Sequence, residues 1–267
     1  MDRRRDYNVN VADEMFRTKE NGVHDPFHYD AHTPKEDIKS KDNLARDYAS
    51  KREEYFECPR PETLEYVPSL CRRVLDVGCG TGSFGASLRK RTGCEVWGVE
   101  SNAPSIPKAG ENLDKVLHGY FGPELDLPSG YFDCVVFNDV LEHMPDPASA
   151  LALARALLSC GGCVVASIPN VRHFPTVWKL VICGEWEYKE FGILDKTHLR
   201  FFTRLSIIRL FQEAGFTIQR IDGISSFHSL APDDSSLWRR YYLFSWLPIP
   251  GIKDMRYQQF AIVAIVG

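Results

Sequence analysis

Apolar runs and amphipathic stretches alternate along the chain from about residue 74 to its end. Short apolar runs between turn residues are typical of buried strands, and apolar positions three or four residues apart are typical of helices. The pattern predicts strands at residues 74–76, 95–100, 115–117, 132–138, 163–168, 216–221 and 260–266. It predicts helices at about residues 83–91, 147–158 and 203–214, the last with Thr203 as its N-cap. Strands that alternate with helices favour an α/β fold with a mostly parallel, doubly wound sheet.

Three segments depart from this alternation. Residues 1–59 are predicted to form a partly disordered N-terminal segment with a helical cap, ahead of one domain at residues 60–267. Within that domain, residues 171–199 and 227–250 are aromatic-rich inserts. Long excursions at strand ends usually form lids or binding walls, which is what we expect of both inserts. For residues 238–246, bounded by Trp238 and Trp246, docking to a partner or to a membrane surface is the alternative.

A glycine-rich turn connects the first predicted strand to the first predicted helix. The sequence Val-Leu-Asp-Val-Gly-Cys-Gly-Thr-Gly, residues 74–82, places Gly78, Gly80 and Gly82 at alternate positions. Glycines in this arrangement allow a sharp turn and a close approach of a ligand to the backbone. The amides at the start of the following helix favour an anion. The turn therefore predicts a site for an anionic group of a ligand.

The same region fits two classes of nucleoside cofactor. Gly80-Thr-Gly82-Ser-Phe-Gly85 satisfies the G-x-G-x-x-G pattern of dinucleotide-binding proteins. Asp76 favours S-adenosylmethionine (SAM) instead, because a carboxylate there suits a cationic ligand and repels a pyrophosphate. Glu100 follows at the end of the second predicted strand, where a carboxylate can accept hydrogen bonds from the ribose hydroxyls of either cofactor.

These residues resemble class I SAM-dependent methyltransferases. Residues 76–82, Asp-Val-Gly-Cys-Gly-Thr-Gly, resemble the first motif of that family. Residues 132–147 resemble the fourth strand and following loop of the branch that includes ubiquinone-biosynthesis O-methyltransferases. Residues 167–170, Ser-Ile-Pro-Asn, and residues 194–203 are similar to bacterial members associated with polysaccharide or natural-product modification. The resemblance runs from about residue 60 to the C-terminus and implies a Rossmann-like, seven-stranded sheet with an antiparallel last strand.

Carried over to this chain, the resemblance implies a set of cofactor-binding residues. Asp76, Gly78, Gly80 and Gly82 would line the methionine end of SAM, Glu100 would bind the ribose, and Asn138 would approach from the end of the fourth strand. Where the family often has an acid that contacts the adenine amine, this chain has Tyr120 or Phe121. Either aromatic ring could stack on adenine, and Asp126 could bind the amine from further along.

Two histidines are candidates for acid–base chemistry. Methyl transfer from a sulfonium is an in-line displacement, and a hydroxyl acceptor benefits from a general base with a pKa near neutrality. His143 follows the fourth strand and His198 ends the first insert, with Asp139 and Asp195 as further candidates. The alternative for each histidine is a structural role. Glu142 and His143 would fix a loop by hydrogen bonds, and His198 would orient the insert against the sheet.

Composition restricts the partners. The net charge of −4 gives no general attraction to nucleic acid, and residues 138–141 lack the two prolines and the aromatic residue of enzymes that methylate nucleobase amines. No cluster of carboxylates predicts a metal site, and no apolar run is long enough for a membrane span. The eight scattered cysteines indicate reduced thiols, and the C-x-x-C of Cys160 and Cys163 is interpreted as a helix-to-strand turn.

The sequence therefore predicts a cytoplasmic SAM-dependent methyltransferase that acts on a small molecule or a glycan-linked intermediate. Oxygen is the favoured acceptor atom, ahead of nitrogen or carbon. Two alternatives remain open at this point. One is a non-catalytic SAM-binding or scaffolding protein, and the other is a nicotinamide-dependent oxidoreductase.

Overall fold

The strands form one seven-stranded sheet in the computed structural model, which describes residues 56–57, 59–226 and 251–267. They are β1 (Arg73–Val77), β2 (Glu95–Glu100), β3 (Lys115–His118), β4 (Phe132–Asn138), β5 (Leu158–Pro169), β6 (Phe216–Ser226) and β7 (Tyr257–Val266). Their order across the sheet is β3-β2-β1-β4-β5-β7-β6. The first five strands are parallel, and β7 is antiparallel to both of its neighbours. The predicted Rossmann-like sheet with its antiparallel last strand is confirmed.

Helices cover both faces of this sheet. They are α1 (Pro61–Leu64), α2 (Ser83–Thr92), α3 (Ile106–Asn112), α4 (Pro147–Leu157), α5 (Phe174–Trp178) and α6 (Arg204–Glu213). Helices α2, α4 and α6 match the sequence prediction to within one residue at each end, whereas α1, α3 and α5 were not predicted. Each of those three has seven residues or fewer, which is too short for an apolar period to develop.

The start of α6 shows how local sequence sets these boundaries. The Thr203 hydroxyl accepts a hydrogen bond from the Ser206 amide at 3.2 Å, and the Ser206 hydroxyl accepts one from the Thr203 amide at 2.9 Å. This reciprocal pair satisfies two donors that a helix start otherwise leaves without partners. Thr203 is therefore the N-cap that the sequence predicted.

Alternation along the strands divides the core into two layers. On β1, Val74 packs in the layer with Phe84 and Leu88 of α2, whereas Leu75 packs in the opposite layer with Leu151 of α4. All of these side chains are buried. Each contributes about 1.5–3 kcal/mol relative to an exposed position, so the two layers hold the sheet in place under the site.

The prediction for the start of β5 was wrong. The strand begins at Leu158, and Cys160 and Cys163 both lie within it and not in a helix-to-strand turn. Pairing with β4 shifts register between Phe132 and Cys134 of that strand. A bulge of this kind accommodates residues that would otherwise break the ladder, so the Gly-Gly pair that suggested the end of a helix lies inside an irregular strand.

Several predictions fall outside the described residues. These are the N-terminal segment up to residue 55, its helical cap and the second aromatic insert with residues 238–246, so the division between residues 59 and 60 stays a prediction. The first insert is described. It contains α5 and a π-helix at Lys179–Cys183, on which Val181 and Ile182 are exposed. Among the described helices, none combines the length and apolar character needed to cross a membrane.

Candidate functional site

The predicted cofactor residues lie at the carboxyl edge of three adjacent parallel strands. Asp76 is next to last in β1, Glu100 is last in β2, and Asn138 is last in β4. β1 lies between β2 and β4 and is parallel to both. In parallel sheets, ligands bind at the carboxyl edge because all strand ends and their loops meet there. The fold therefore brings these three residues, distant in sequence, to one edge.

The glycine turn is enclosed on two sides by backbone and side chain. Gly78 and Gly80 have φ angles of +70° and +54°, which side chains rarely adopt. A Cβ at Gly78 would lie 2.7 Å from a methyl carbon of Val140, and a Cβ at Gly80 would lie 2.5 Å from the backbone oxygen of Phe56. Gly82 is the N-cap of α2 and provides no side-chain hydrogen bond to its first amides. The amides from Gly78 to Gly82 already donate within the protein, so the amides left to favour an anion are the first ones of α2.

Two carboxyl groups face this turn. Glu100 accepts hydrogen bonds from the amides of Gly80 at 2.8 Å and Asn102 at 2.7 Å. Asp76 is buried, and within the described part of the chain its Oδ2 has no hydrogen-bond partner. Burial, together with the nearby charge of Glu100, raises the pKa of Asp76 to about 8. A bound cation would relieve both of these costs.

The end of β4 holds an amide and a third carboxylate. Both amide atoms of Asn138 are buried without a hydrogen-bond partner among the described residues. The following residue, Asp139, adopts a φ of +52°. Its carboxylate accepts hydrogen bonds from the Ser167 hydroxyl at 2.7 Å and the Gln259 amide at 2.9 Å, and it pairs with the Arg60 guanidinium. Asp139 is therefore part of a polar network that joins β4, β5 and β7.

The two candidate histidines lie against each other. His143 is on the 3₁₀ turn Leu141–His143 after β4, and His198 is at the end of the first insert. Their ring centroids are 4.6 Å apart. The Nδ1–H of His143 donates to the Thr197 carbonyl at 3.1 Å, and the Nδ1–H of His198 donates to the Ile193 carbonyl at 3.0 Å. Carbonyl acceptors fix the tautomer, so Nε2 is the basic nitrogen of each ring.

A buried carboxyl group completes this cluster. Nε2 of His198 lies 3.9 Å from Oε1 of Glu142. Burial, and then the charge of Asp139, raise the pKa of Glu142 well above its usual range. Burial, and then the neighbouring His198, lower the pKa of His143 to about 4. One ligand atom each from Glu142, His143 and His198 lie within 4.8 Å of one another, a donor set that suits a divalent cation and was not predicted.

Backbone hydrogen bonds, and not the Glu142 side chain, hold the loop that contains Glu142. The Glu142 side chain does not fix the loop, since neither carboxyl oxygen has a hydrogen-bond partner in the described residues. The backbone oxygen of Glu142 accepts hydrogen bonds from the amides of Leu199 at 2.9 Å and Arg200 at 3.0 Å, and these bonds connect the loop to the end of the first insert. Asp195 is buried and accepts from the amide and the hydroxyl of Thr197, so it organises the segment that carries His198.

The adenine candidates differ in exposure. The Phe121 ring packs edge-on against Phe137 of the core, with centroids 5.6 Å apart. Tyr120 is 55 % exposed, and Asp126 is also exposed. Phe121 is therefore occupied in packing, whereas the Tyr120 ring has surface to offer a ligand.

Sequence reasoning missed three residues of the site. Arg60, Ser167 and Gln259 all contact the Asp139 carboxylate. Ser167 belongs to a motif already singled out, and Gln259 directly precedes the predicted strand at residues 260–266, so both carried a signal. Arg60 carried none, because only the fold brings it next to a residue 79 positions away.

The chain is similar to known methyltransferases. Residues 40–221 match the family model described as a methyltransferase domain. The chain is 34 % identical over 178 residues to the ubiquinone biosynthesis O-methyltransferase of Alkalilimnicola ehrlichii, covering 62 % of this chain and 70 % of that protein. It is 32 % identical to the enzyme of the same name from Psychrobacter arcticus, covering 57 % of this chain but only 62 % of that protein's length.

A solved structure shares the fold. The SAM-dependent methyltransferase from Archaeoglobus fulgidus superposes with a TM-score of 0.56 at 23 % identity, covering 83 % of this chain and 98 % of that one. The family match spans more than half of the chain. The chain belongs to the class I SAM-dependent methyltransferase family, whose cofactor is SAM.

Proposed function

We propose that the protein transfers the methyl group of SAM to a hydroxyl oxygen of a small molecule or a glycan-linked intermediate. The observation that carries this proposal is the cluster of Glu142, His143 and His198, three titratable groups within 4.8 Å of one another. Glu142 and His143 follow β4 by a few residues, and Val140, in the same loop, packs against the glycine turn. Acid–base groups therefore lie next to the proposed cofactor site.

The residues at the sheet edge fit the cofactor. The buried carboxyl of Asp76, with one oxygen lacking a partner in the described chain, suits the ammonium of the methionine moiety. The first amides of α2, which have no side-chain cap, suit its carboxylate. Glu100 would accept the ribose hydroxyls, and the buried amide of Asn138 would gain the hydrogen bonds that it lacks. When bound there, SAM supplies a methyl group activated by its sulfonium sulfur.

We assign the role of general base to His198 and a positioning role to His143. The pKa of His143, lowered to about 4, makes it neutral but weakly basic at neutral pH. Its Nδ1–H anchors the Thr197 carbonyl, next to His198 in the chain. Nε2 of His198 would take the proton of the acceptor hydroxyl, with the Glu142 carboxyl group 3.9 Å away as a polar neighbour of the ring.

The choice of oxygen draws on the relatives. Two of them are named ubiquinone biosynthesis O-methyltransferases, and each aligns with less than two thirds of this chain. A hydroxyl must lose a proton during methyl transfer, which gives the histidine pair a task. An already nucleophilic amine has less need of a base, so the same cluster favours oxygen over nitrogen.

The test is methyl transfer from SAM with a deuterated methyl group. The protein is incubated with fractionated small-molecule and glycan-precursor extracts, and mass spectrometry locates the label in each product. We expect an O-linked deuterated methyl group. His198→Asn should lower kcat by at least about 100-fold, the usual contribution of a general base, with little change in SAM affinity.

A matched control is His173→Asn. His173 is also buried, and burial lowers its pKa to about 4, but it is not a member of the cluster. We expect its kcat to stay within a few fold of the wild type. Label on nitrogen or carbon would contradict the choice of oxygen. An unchanged kcat in His198→Asn would remove that residue as the base, and SAM binding without any labelled product would favour a non-catalytic protein.

A further inference from the structure

Three buried cysteine thiols meet on one face of the sheet, away from the carboxyl edge. Cys134 of β4 and Cys163 of β5 are direct neighbours in the register of these strands. Cys71 precedes β1 by two residues and joins the same core layer. The three Sγ atoms all lie within 4.8 Å of one another. Three separate segments of the chain thus place their sulfur atoms close together, and we call Cys71, Cys134 and Cys163 the thiol cluster.

Apolar side chains line most of the thiol cluster, and the charges of Asp133 and Arg91 act on Cys71 from nearby. Cys134 is fully buried, Cys163 is 5 % exposed and Cys71 is 8 % exposed. Val74 and Val165 belong to the same core layer. The seven described cysteines are all free, so the cluster consists of thiols and not of a disulfide. A single buried cysteine packs as a small apolar residue, but three convergent buried sulfurs form a set of soft donor atoms.

The thiols also act on one another. Hydrogen bonds from Cys134 and then Cys163 lower the pKa of Cys71 to about 4. The thiolate is the form of cysteine that binds metals. The geometry itself, three Sγ atoms within 4.8 Å of one another, makes the cluster a candidate set of metal ligands.

We propose that Cys71, Cys134 and Cys163 bind a soft, thiophilic cation, and that Cu(I) is the best match. Thiolate ligands select Cu(I) and Zn(II) among biological cations. Structural zinc requires four ligands, whereas the described residues supply three here, and Cu(I) is stable with three sulfur ligands. The 8 % exposure of Cys71, beside the highly exposed Leu70, gives the ion a path from solvent.

Binding changes protonation but not oxidation state. Each copper–sulfur bond forms at a thiolate, and each thiol that becomes a ligand releases its proton to solvent. Copper remains Cu(I), and sulfur remains at the thiolate level throughout. No further reactant is needed. Cu(I) affinity should therefore rise with pH, because the ion has fewer protons to displace.

The test is titration of the full chain, reduced and free of oxygen, with Cu(I) held by a competing chelator. We expect one ion per chain and an X-ray absorption spectrum with three sulfur neighbours. Cys71→Ser should lower the affinity for Cu(I) by at least roughly 100-fold. Loss of a group that only hydrogen-bonds to a metal ligand costs up to about 100-fold in affinity, and loss of the ligand itself should cost more. Cys183→Ser is the matched control, since Cys183 is exposed and outside the cluster.

The variant is chosen to keep the fold. Cys71 lies outside the strands and is the most exposed of the three, and urea unfolding together with SAM binding would verify the folded state. Equal Cu(I) affinity in the wild type and Cys71→Ser would overturn the proposal. So would fewer than three sulfur neighbours, or binding lost equally in Cys183→Ser. Preference for Zn(II) over Cu(I) with a fourth ligand would overturn the assignment of the ion.

Discussion

The raised pKa of Asp76 predicts that SAM binding depends steeply on pH. With a pKa of about 8, the carboxyl is neutral in most molecules at pH 7, yet a cationic ligand requires the carboxylate. Binding must therefore remove a proton, at a cost of about 1.4 kcal/mol for each pH unit below the pKa. Between about pH 5.5 and about pH 7.5 the affinity should rise by nearly 100-fold, or roughly 2.5 kcal/mol.

The pKa values of the other titratable groups decide over which pH range the effect of Asp76 can be measured. His143 and His173, with pKa values lowered to about 4, do not titrate within it. Above about pH 8 the α-ammonium of the ligand itself loses its proton, which would reverse the trend. Titration calorimetry in buffers of different ionisation enthalpy measures the affinity and the released proton together. Nearly one proton should be released per SAM bound at the acidic end of the window.

Two controls isolate the carboxyl group. Asp76→Asn should bind more weakly and show little change in affinity across the window. Adenosine, which lacks the methionine moiety, should bind the wild type with no such pH dependence. An affinity for SAM that is constant with pH, or a slope that persists in Asp76→Asn, would refute the assignment of Asp76 to the charged end of the ligand.

The same group links pH to stability without ligand. The folded-state pKa of about 8 lies above the ordinary value of 3.8, so between these values the folded state holds a proton that the unfolded state has lost. Stability therefore falls as pH rises from about 4 to about 8, by an upper limit on the order of 6 kcal/mol. Urea unfolding should show Asp76→Asn gaining stability relative to the wild type over that range. A constant difference would show that the carboxyl is not held neutral.

The remaining predictions concern the backbone. Gly80→Ala and Gly130→Ala both place a side chain at positive φ, at about 1–3 kcal/mol each, but only Gly80 meets a backbone atom, at 2.5 Å. Calorimetry should show that the affinity for SAM falls by at least about tenfold in Gly80→Ala and is unchanged in Gly130→Ala. An equal loss of affinity in both variants would mean that backbone strain, and not the contact at Gly80, is responsible. Thr203→Ala removes the N-cap of α6 and should lower the free energy of unfolding in urea by about 0.5–2 kcal/mol, with the affinity for SAM unchanged. An unchanged free energy of unfolding would contradict the role of Thr203 as the cap.

The sequence by itself determined the order and type of the principal elements. The apolar run of β4 and the alternation in β2 were predicted to the residue, because a strand buried on both faces admits few polar side chains. The glycine turn and the carboxyl groups of Asp76 and Glu100 were also found, since their positions follow from strand ends that the sequence marks. These are local properties, which a short stretch of chain expresses without its neighbours.

Tertiary structure alone decided how distant segments meet. The contacts of Asp139 with Arg60 and Gln259, and the 3.9 Å approach of Glu142 to His198, join residues that no periodicity relates. The pKa values at the site depend on the same arrangement, because burial and neighbouring charges exist only after folding. The glycine pair of β5 was misassigned for a related reason: a bulge is determined by the partner strand, and local sequence shows only that helix propensity is lost there.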